Sequence, residues 1–277
     1  MAAQLDQALS ILRPYLQPIT HSLPPFISTP LSDLISPECY SHLILNIDPF
    51  TSPTCLKFAI SKAVGIAIIA ASTIVKVPQL LKLLNSRSAE GVNFTSYLLE
   101  TAAYIITLAY NFRSRFPFST FGETALIALQ NIVIAALVLH FTATAKNTTS
   151  PYPAVFVAGV AAAGYALFTP SIVSTELLRN LQMFVTIPLG LMSKIPQILD
   201  VQRNRSTGQL SAFAVFNYLL GSLARVGTTL AEVDDVLILA GFVGGAVLNL
   251  VLAAQMVVFW NNKGNKGKKV EETKKKN

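Results

Sequence analysis

Charge is what this sequence has least of. Asp, Glu, Lys and Arg make up 13% of its 277 residues, about half the share of an ordinary soluble domain. Hydrophobic residues make up 52% and the mean hydropathy is +0.52, which excludes a soluble globular domain. Cysteine is nearly absent: Cys39 and Cys55 stand sixteen positions apart, in no metal-ligand spacing. Histidine is scarce too, and His21, His42 and His140 are scattered. With no nucleophile motif, metal cluster or phosphate-cradling glycine loop, the sequence offers no enzyme, no metal site and no cofactor. Nor does the net charge of +7 point to nucleic acid. The segment Asn261 to Asn277 holds seven lysines and two glutamates, +5 of that total, as one terminal run and not a basic face.

Apolar runs, by contrast, are abundant. A bilayer-spanning helix needs roughly 20 mainly apolar residues, and seven such runs are expected near 58–84, 92–111, 120–142, 153–169, 176–201, 209–231 and 235–260. The chain therefore reads as an all-α polytopic membrane protein. The first fifty-odd residues carry eight prolines and neither the basic start nor the clean apolar core of a cleavable signal. They are expected to be a soluble arm, amphipathic around Leu5 to Leu16. The lysine-rich tail places the carboxyl terminus in the cytoplasm and, across seven spans, the amino terminus in the lumen. Lys82, Arg87, Lys146, Arg203 and Arg205 then face the cytoplasm, and the acidic turn Glu232 to Asp235 faces the lumen. The glycosylation patterns at Asn93, Asn147 and Asn204 fall on the cytoplasmic side, so none is expected to carry sugar.

The most informative feature is a duplication. Lys76-Val77-Pro78-Gln79 returns as Lys194-Ile195-Pro196-Gln197, an offset of 118, and Arg87-Ser88 returns as Arg205-Ser206. An internal repeat of this length implies two equivalent three-helix units. They cover 57–142 and 176–260, with a linker helix and loops at 143–175, the lumenal arm at 1–56 and the basic tail at 261–277. One linker helix gives both units the same orientation, the parallel-repeat arrangement of some transporters. A proline inside a spanning helix removes a donor and frees the carbonyl four residues earlier, at Ile74 for Pro78 and Met192 for Pro196. The expectation is a hinge near the cytoplasmic end of each unit, with Gln79 and Gln197 beside the loosened turn.

These duplicated motifs resemble the PQ-loop group, in the superfamily that also holds the SWEET sugar transporters and the lysosomal cystine exporter. The blocks PECYSHL, CLKFAISK, KVPQLLKLLNSRSAEGVNFTSYLLE, FPFSTFGE, TGQLSAFAVF, GSLAR and AAQMVVFWN, running from Pro37 to Asn261, are similar to the mannose-P-dolichol utilisation defect protein family. That resemblance implies residence in the endoplasmic reticulum membrane. It also implies a requirement for the use of dolichyl-phosphate mannose and dolichyl-phosphate glucose by lumenal glycosyltransferases. N-glycan precursors, glycosylphosphatidylinositol anchors and O- and C-mannosylation depend on that supply. The alternatives within the wider group are a small-solute transporter of sugar or amino acid and a non-transporting scaffold for the transferases. The arm is longer than the family's usual one, and the second Pro-Gln, which members do not all keep, is intact.

Ionisable groups at membrane depth are costly and turn to a bundle interior. Lys62, Lys76, Glu100, Lys194 and Arg225, with the amides of Gln130, Asn131, Asn217 and Asn249, are the candidates for a path that binds a phosphodiester headgroup. Snorkelling to the interface is the bland reading for Lys76 and Lys194, and a structural ion pair for Glu100 and Arg225. Cys39 and Cys55 read equally as a lumenal disulfide or as two free buried thiols. Lys274 and Lys275 stand fourth and third from the carboxyl end, the spacing of a dilysine retrieval signal. A polybasic run attracted to anionic lipid is the alternative.

Overall fold

The computed structural model describes residues 2–50, 52–89, 92–145, 151–207 and 212–260, so the tail with Lys274 and Lys275, as well as Asn147, lies outside it. The described residues are almost entirely helical. The arm folds as α1 (Ala2–His21), α2 (Pro25–Ile35) and α3 (Pro37–Tyr40), which runs into a π turn at Ser41–Leu45. Pro14 and Pro18 lie inside α1, whose exposed surface lets water serve the carbonyls they leave free. α1 is held by Arg13, whose Nε donates to the Ile47 carbonyl at 3.1 Å. A disulfide joins Cys39 to Cys55, and both sit in a small core with Ile35 and Tyr40.

Seven helical segments follow, at the places of the seven expected runs. The first is α4 (Pro53–Ser72) with α5 (Val77–Ser86), then come α6 (Phe94–Arg113), α7 (Phe118–Ala145) and α8 (Tyr152–Phe168). The fifth is α9 (Thr175–Leu181), a π turn at Gln182–Thr186, α10 (Ile187–Met192) and α11 (Ile195–Asn204). α12 (Ala212–Glu232) and α13 (Val236–Val258) complete the chain. Four of the seven, Pro53–Ser86, Phe118–Ala145, Thr175–Asn204 and Val236–Val258, are long and apolar enough by themselves to cross a membrane. The other three fall short for visible reasons. α8 has 17 residues, α6 carries Glu100 and Arg113, and α12 carries Arg225 and Glu232.

The duplication is written into the backbone. α5 and α11 begin and end 118 positions apart, and each is closed by an arginine in the left-handed region, Arg87 at φ 47° and Arg205 at φ 46°. In each unit the third helix lies between the other two: α7 between α4–α5 and α6, and α13 between α10–α11 and α12. Even the cores coincide. Leu83, Ile134, Val138 and Phe141 pack together in the first unit. Their counterparts Val201, Leu252, Met256 and Phe259 do so in the second. α8 rests on α6 and α7, so the linker helix belongs structurally to the first unit.

At both Pro-Gln motifs the structure goes beyond a bend in a continuous helix. The helix breaks completely, over Thr73–Lys76 and Ser193–Lys194, and each proline is the second residue of a new helix. There its missing N–H costs nothing, because the first N–H groups of any helix lack an intrahelical acceptor. The Ile74 carbonyl is not left free either, since it accepts the Val77 N–H at 3.2 Å.

Candidate functional site

The first break is closed by a residue outside the motif. In an unbroken helix the Lys76 N–H would bond the Ser72 carbonyl. Instead Gln130 on α7 takes both: its Oε1 accepts from Lys76 N at 2.9 Å and its Nε2 donates to the Ser72 carbonyl at 2.9 Å. Gln79, the motif glutamine, does not fill this role. The position equivalent to Gln130 in the second unit is Leu248, which cannot. There Lys194 N bonds Leu191 O at 3.1 Å, and the Ser193 hydroxyl donates to the Gly190 carbonyl at 2.6 Å.

The candidate charges form three groups. Lys76 donates to both carboxylate oxygens of Glu100 at 3.0 Å and lies 5.3 Å from the ring centre of Tyr97. Tyr104 donates to the same carboxylate at 2.9 Å, and the fully buried Asn131 faces it. A second group lies between α4, α7 and α12. Lys62 Nζ contacts Glu232 at 2.8 Å and Ser119 Oγ at 3.0 Å, and Ser61 and Ser119 both donate to Glu232. Beside it Arg225 pairs with Glu123 at 2.7 Å and donates to the Ser119 carbonyl at 2.9 Å. Gly65 permits this meeting, because a Cβ there would lie 3.0 Å from that same carbonyl. With two cations and two carboxylates the group is neutral, and it ties the first unit to the second. Lys62 and Arg225 are thus each met by a carboxylate in this arrangement. Asn217 lies exposed on α12.

The third group is a single cation. Lys194 sits 4.2 Å from the ring centre of Tyr218, and among the described residues no carboxylate lies within ion-pair reach. Glu100 and Tyr218 are 118 positions apart, as are Lys76 and Lys194, and Asn131 and Asn249. Asn249 completes the parallel, its Nδ2 donating to the Tyr218 carbonyl at 3.2 Å. Each unit therefore holds a lysine, a partner and a buried asparagine in the same arrangement. Only the partner differs, a carboxylate in the first and an aromatic ring in the second.

Lys194, Glu100 and Asn249 line a cavity of about 750 Å³ between the units. One wall is α6 from Ser96 to Asn111. The other is the irregular fifth segment from Gln182 to Lys194, with Ile238, Gly241, Phe242 and Gly245 of α13. Its lining mixes apolar side chains with Tyr104, Thr107, Asn111, Thr120, Gln182 and Thr186. The π turn and the helix break both fall on the cavity wall, where non-helical backbone at membrane depth is tolerated. Away from Lys194 the units are tied across this space. The Thr107 hydroxyl donates to Gln182 Oε1 at 3.1 Å, and Tyr110 donates to Asp235 at 2.7 Å, the residue that caps α13. Lys76, Gln130, Asn131, Lys62, Arg225 and the two Pro-Gln pairs do not line the cavity. Tyr218 and Gln182 escaped the sequence reading, although the 118-residue offset from Glu100 leads directly to Tyr218.

Comparison with known proteins agrees with the duplication. The family model described as PQ loop repeat matches residues 60–120 and 182–238. The human protein named solute carrier family 66 member 3 is 29% identical over 175 residues, 63% of this chain and 82% of that protein. No solved structure matches. The chain is an all-helical, multi-pass membrane protein with two stretches that match the PQ loop repeat, and it is similar to one protein named a solute carrier.

Proposed function

We propose that this PQ-loop membrane protein enables lumenal glycosyltransferases to use dolichyl-phosphate mannose and dolichyl-phosphate glucose. It does so by holding the sugar-phosphate end of the lipid in the cavity between its repeats and presenting or carrying it across the endoplasmic reticulum membrane. The observation that carries this reading is the cavity. About 750 Å³ is ample for a small polar headgroup, its wall offers both hydroxyl and amide partners and apolar surface, and a lone lysine stands at one end. The sequence blocks from Pro37 to Asn261 support the choice of lipid. In this reading the Lys194 end faces the cytoplasm, and the end tied by Tyr110 and Asp235 faces the lumen.

The test is twofold. Cells lacking the protein are expected to accumulate truncated lipid-linked oligosaccharides while still making dolichyl-phosphate mannose, and purified protein in liposomes is expected to move a dolichyl-phosphate mannose analogue between leaflets or to bind it. Normal precursor size in a clean deletion overturns the reading. The relative named a solute carrier favours a second one, transport of a small water-soluble solute through the same cavity. Uptake of a free sugar or amino acid by the liposomes, without effect of the lipid analogue, would establish it.

A further inference from the structure

We infer that Lys194, seated on Tyr218, is an anion seat for a phosphate ester, and that the replacement of a carboxylate by Tyr218 keeps the seat open. The inference rests on reading the cavity as the ligand site. The first repeat supplies the internal comparison. Lys76 has its charge met by Glu100, which takes ammonium donors on both oxygens at 3.0 Å. At the equivalent place Lys194, among the described residues, has the face of a ring at 4.2 Å in place of a carboxylate. A ring face attracts the cation without accepting a directed hydrogen bond from it, and an ammonium has three donors to give. Those donors stand on a cavity wall.

The charge balance of that wall agrees. Glu100 also lines the cavity but is compensated by Lys76, so the lining together with Lys76 carries one net positive charge. A cation at membrane depth without a counterion is costly, and an anionic ligand supplies what the fold omits. The chemistry that fits is a phosphate mono- or diester whose remaining part is polar enough for the Thr107 and Gln182 side of the cavity. A lipid-linked sugar phosphate and a water-soluble sugar phosphate share it.

Calorimetry on the full chain in lipid nanodiscs decides, with three probes: a short-chain prenyl phosphate mannose, α-mannose 1-phosphate and methyl mannoside. The phosphate-bearing probes are expected to bind at least about tenfold tighter than the neutral one. Lys194→Ala and Tyr218→Glu should each lose about ten- to hundredfold for the charged probes, the worth of a hydrogen bond to a charged group. The second variant acts by installing the counterion that the first repeat has. Lys194→Arg should keep most of the phosphate preference. Matching gel-filtration profiles establish that both losing variants are folded. Preference for the prenyl probe marks a lipid source and preference for mannose 1-phosphate a soluble one, so the seat can stand while the lipid reading falls. A phosphate preference that survives in both folded variants, or wild-type protein with no such preference, overturns the proposal.

Discussion

Gln130 accepts the backbone N–H of Lys76 at 2.9 Å, and with its other end it holds the Ser72 carbonyl that this N–H would bond in a continuous helix. One side chain thus stands in for a missing turn of backbone. Deep in a bilayer, unpaired backbone groups cost too much to leave, and an amide is the group that can both donate and accept. Replacement by leucine, the residue at the equivalent position of the second repeat, should strand the Lys76 N–H and leave the Ser72 carbonyl with the long Val75 N–H contact at 3.4 Å. The expected loss is about 1–3 kcal/mol, read as a lower unfolding midpoint of the purified protein in nanodiscs, with Leu248→Gln showing no comparable loss.

The two prolines should then not be equivalent. At Pro78 an added N–H meets a break already clamped by Gln130, and Ile74 O is already occupied by Val77. At Pro196 the break is two residues long and has no such clamp, so alanine allows the fifth segment to close into a continuous helix. One hydrogen bond gained by one conformation shifts a two-state equilibrium by up to about tenfold. Pro196→Ala is expected to lower activity by about that factor at normal abundance, and Pro78→Ala to act more weakly. Complementation of a deletion strain, read by precursor size, checks both, and equal effects would remove the distinction.

Apolar runs and the 118-residue offset announce the helices, a duplicated irregularity at the two prolines and the equivalence of Lys76 and Lys194, because repeats are local patterns; that the helix breaks completely there is not legible in them. Partners were hidden, because they are set by packing between segments far apart in the chain. Glu232 lies 170 positions from Lys62 and was read as part of an acidic lumenal turn, yet its side chain is 1% exposed. The amide of Gln130 marks it by chemistry as a headgroup contact, yet in the structure it mends a helix, which no spacing rule foretells. In the arm the sequence marks an amphipathic stretch around Leu5 to Leu16, within α1, whereas α2 and α3 become visible only with their contacts to α4.

The Lys62–Glu232 pair makes a stability prediction distinct from any effect on transport. Both side chains are buried, at 7% and 1% exposure. Removing one partner leaves the other charge uncompensated, a loss of about 3–5 kcal/mol. Glu232→Gln should therefore lower protein abundance and the unfolding midpoint. The double variant Lys62→Met with Glu232→Leu is expected to recover much of that loss, since a buried pair is often replaceable by apolar groups. A double variant as unstable as the sum of the singles would show that Ser61 and Ser119 need the charge.

The disulfide offers a test of topology as well as of stability. Cys39 and Cys55 join α3 to the first turn of α4, with Cα atoms 5.1 Å apart. Closing a loop of this size is worth up to about 3 kcal/mol through the unfolded chain, so the serine pair should lower the midpoint and expose the arm to protease. A disulfide persists in an oxidising compartment and not in the cytosol. In sealed microsomes neither cysteine should react with a maleimide polymer until reductant is added and the membrane opened, and protease outside should spare the arm. Labelling of unreduced, intact vesicles would put the arm on the cytosolic face. Since α4 begins at Pro53 and the Lys76 break lies at its other end, both Pro-Gln motifs, with Lys194, would then face the lumen. The anion seat would then open to the lumen and not to the cytoplasm.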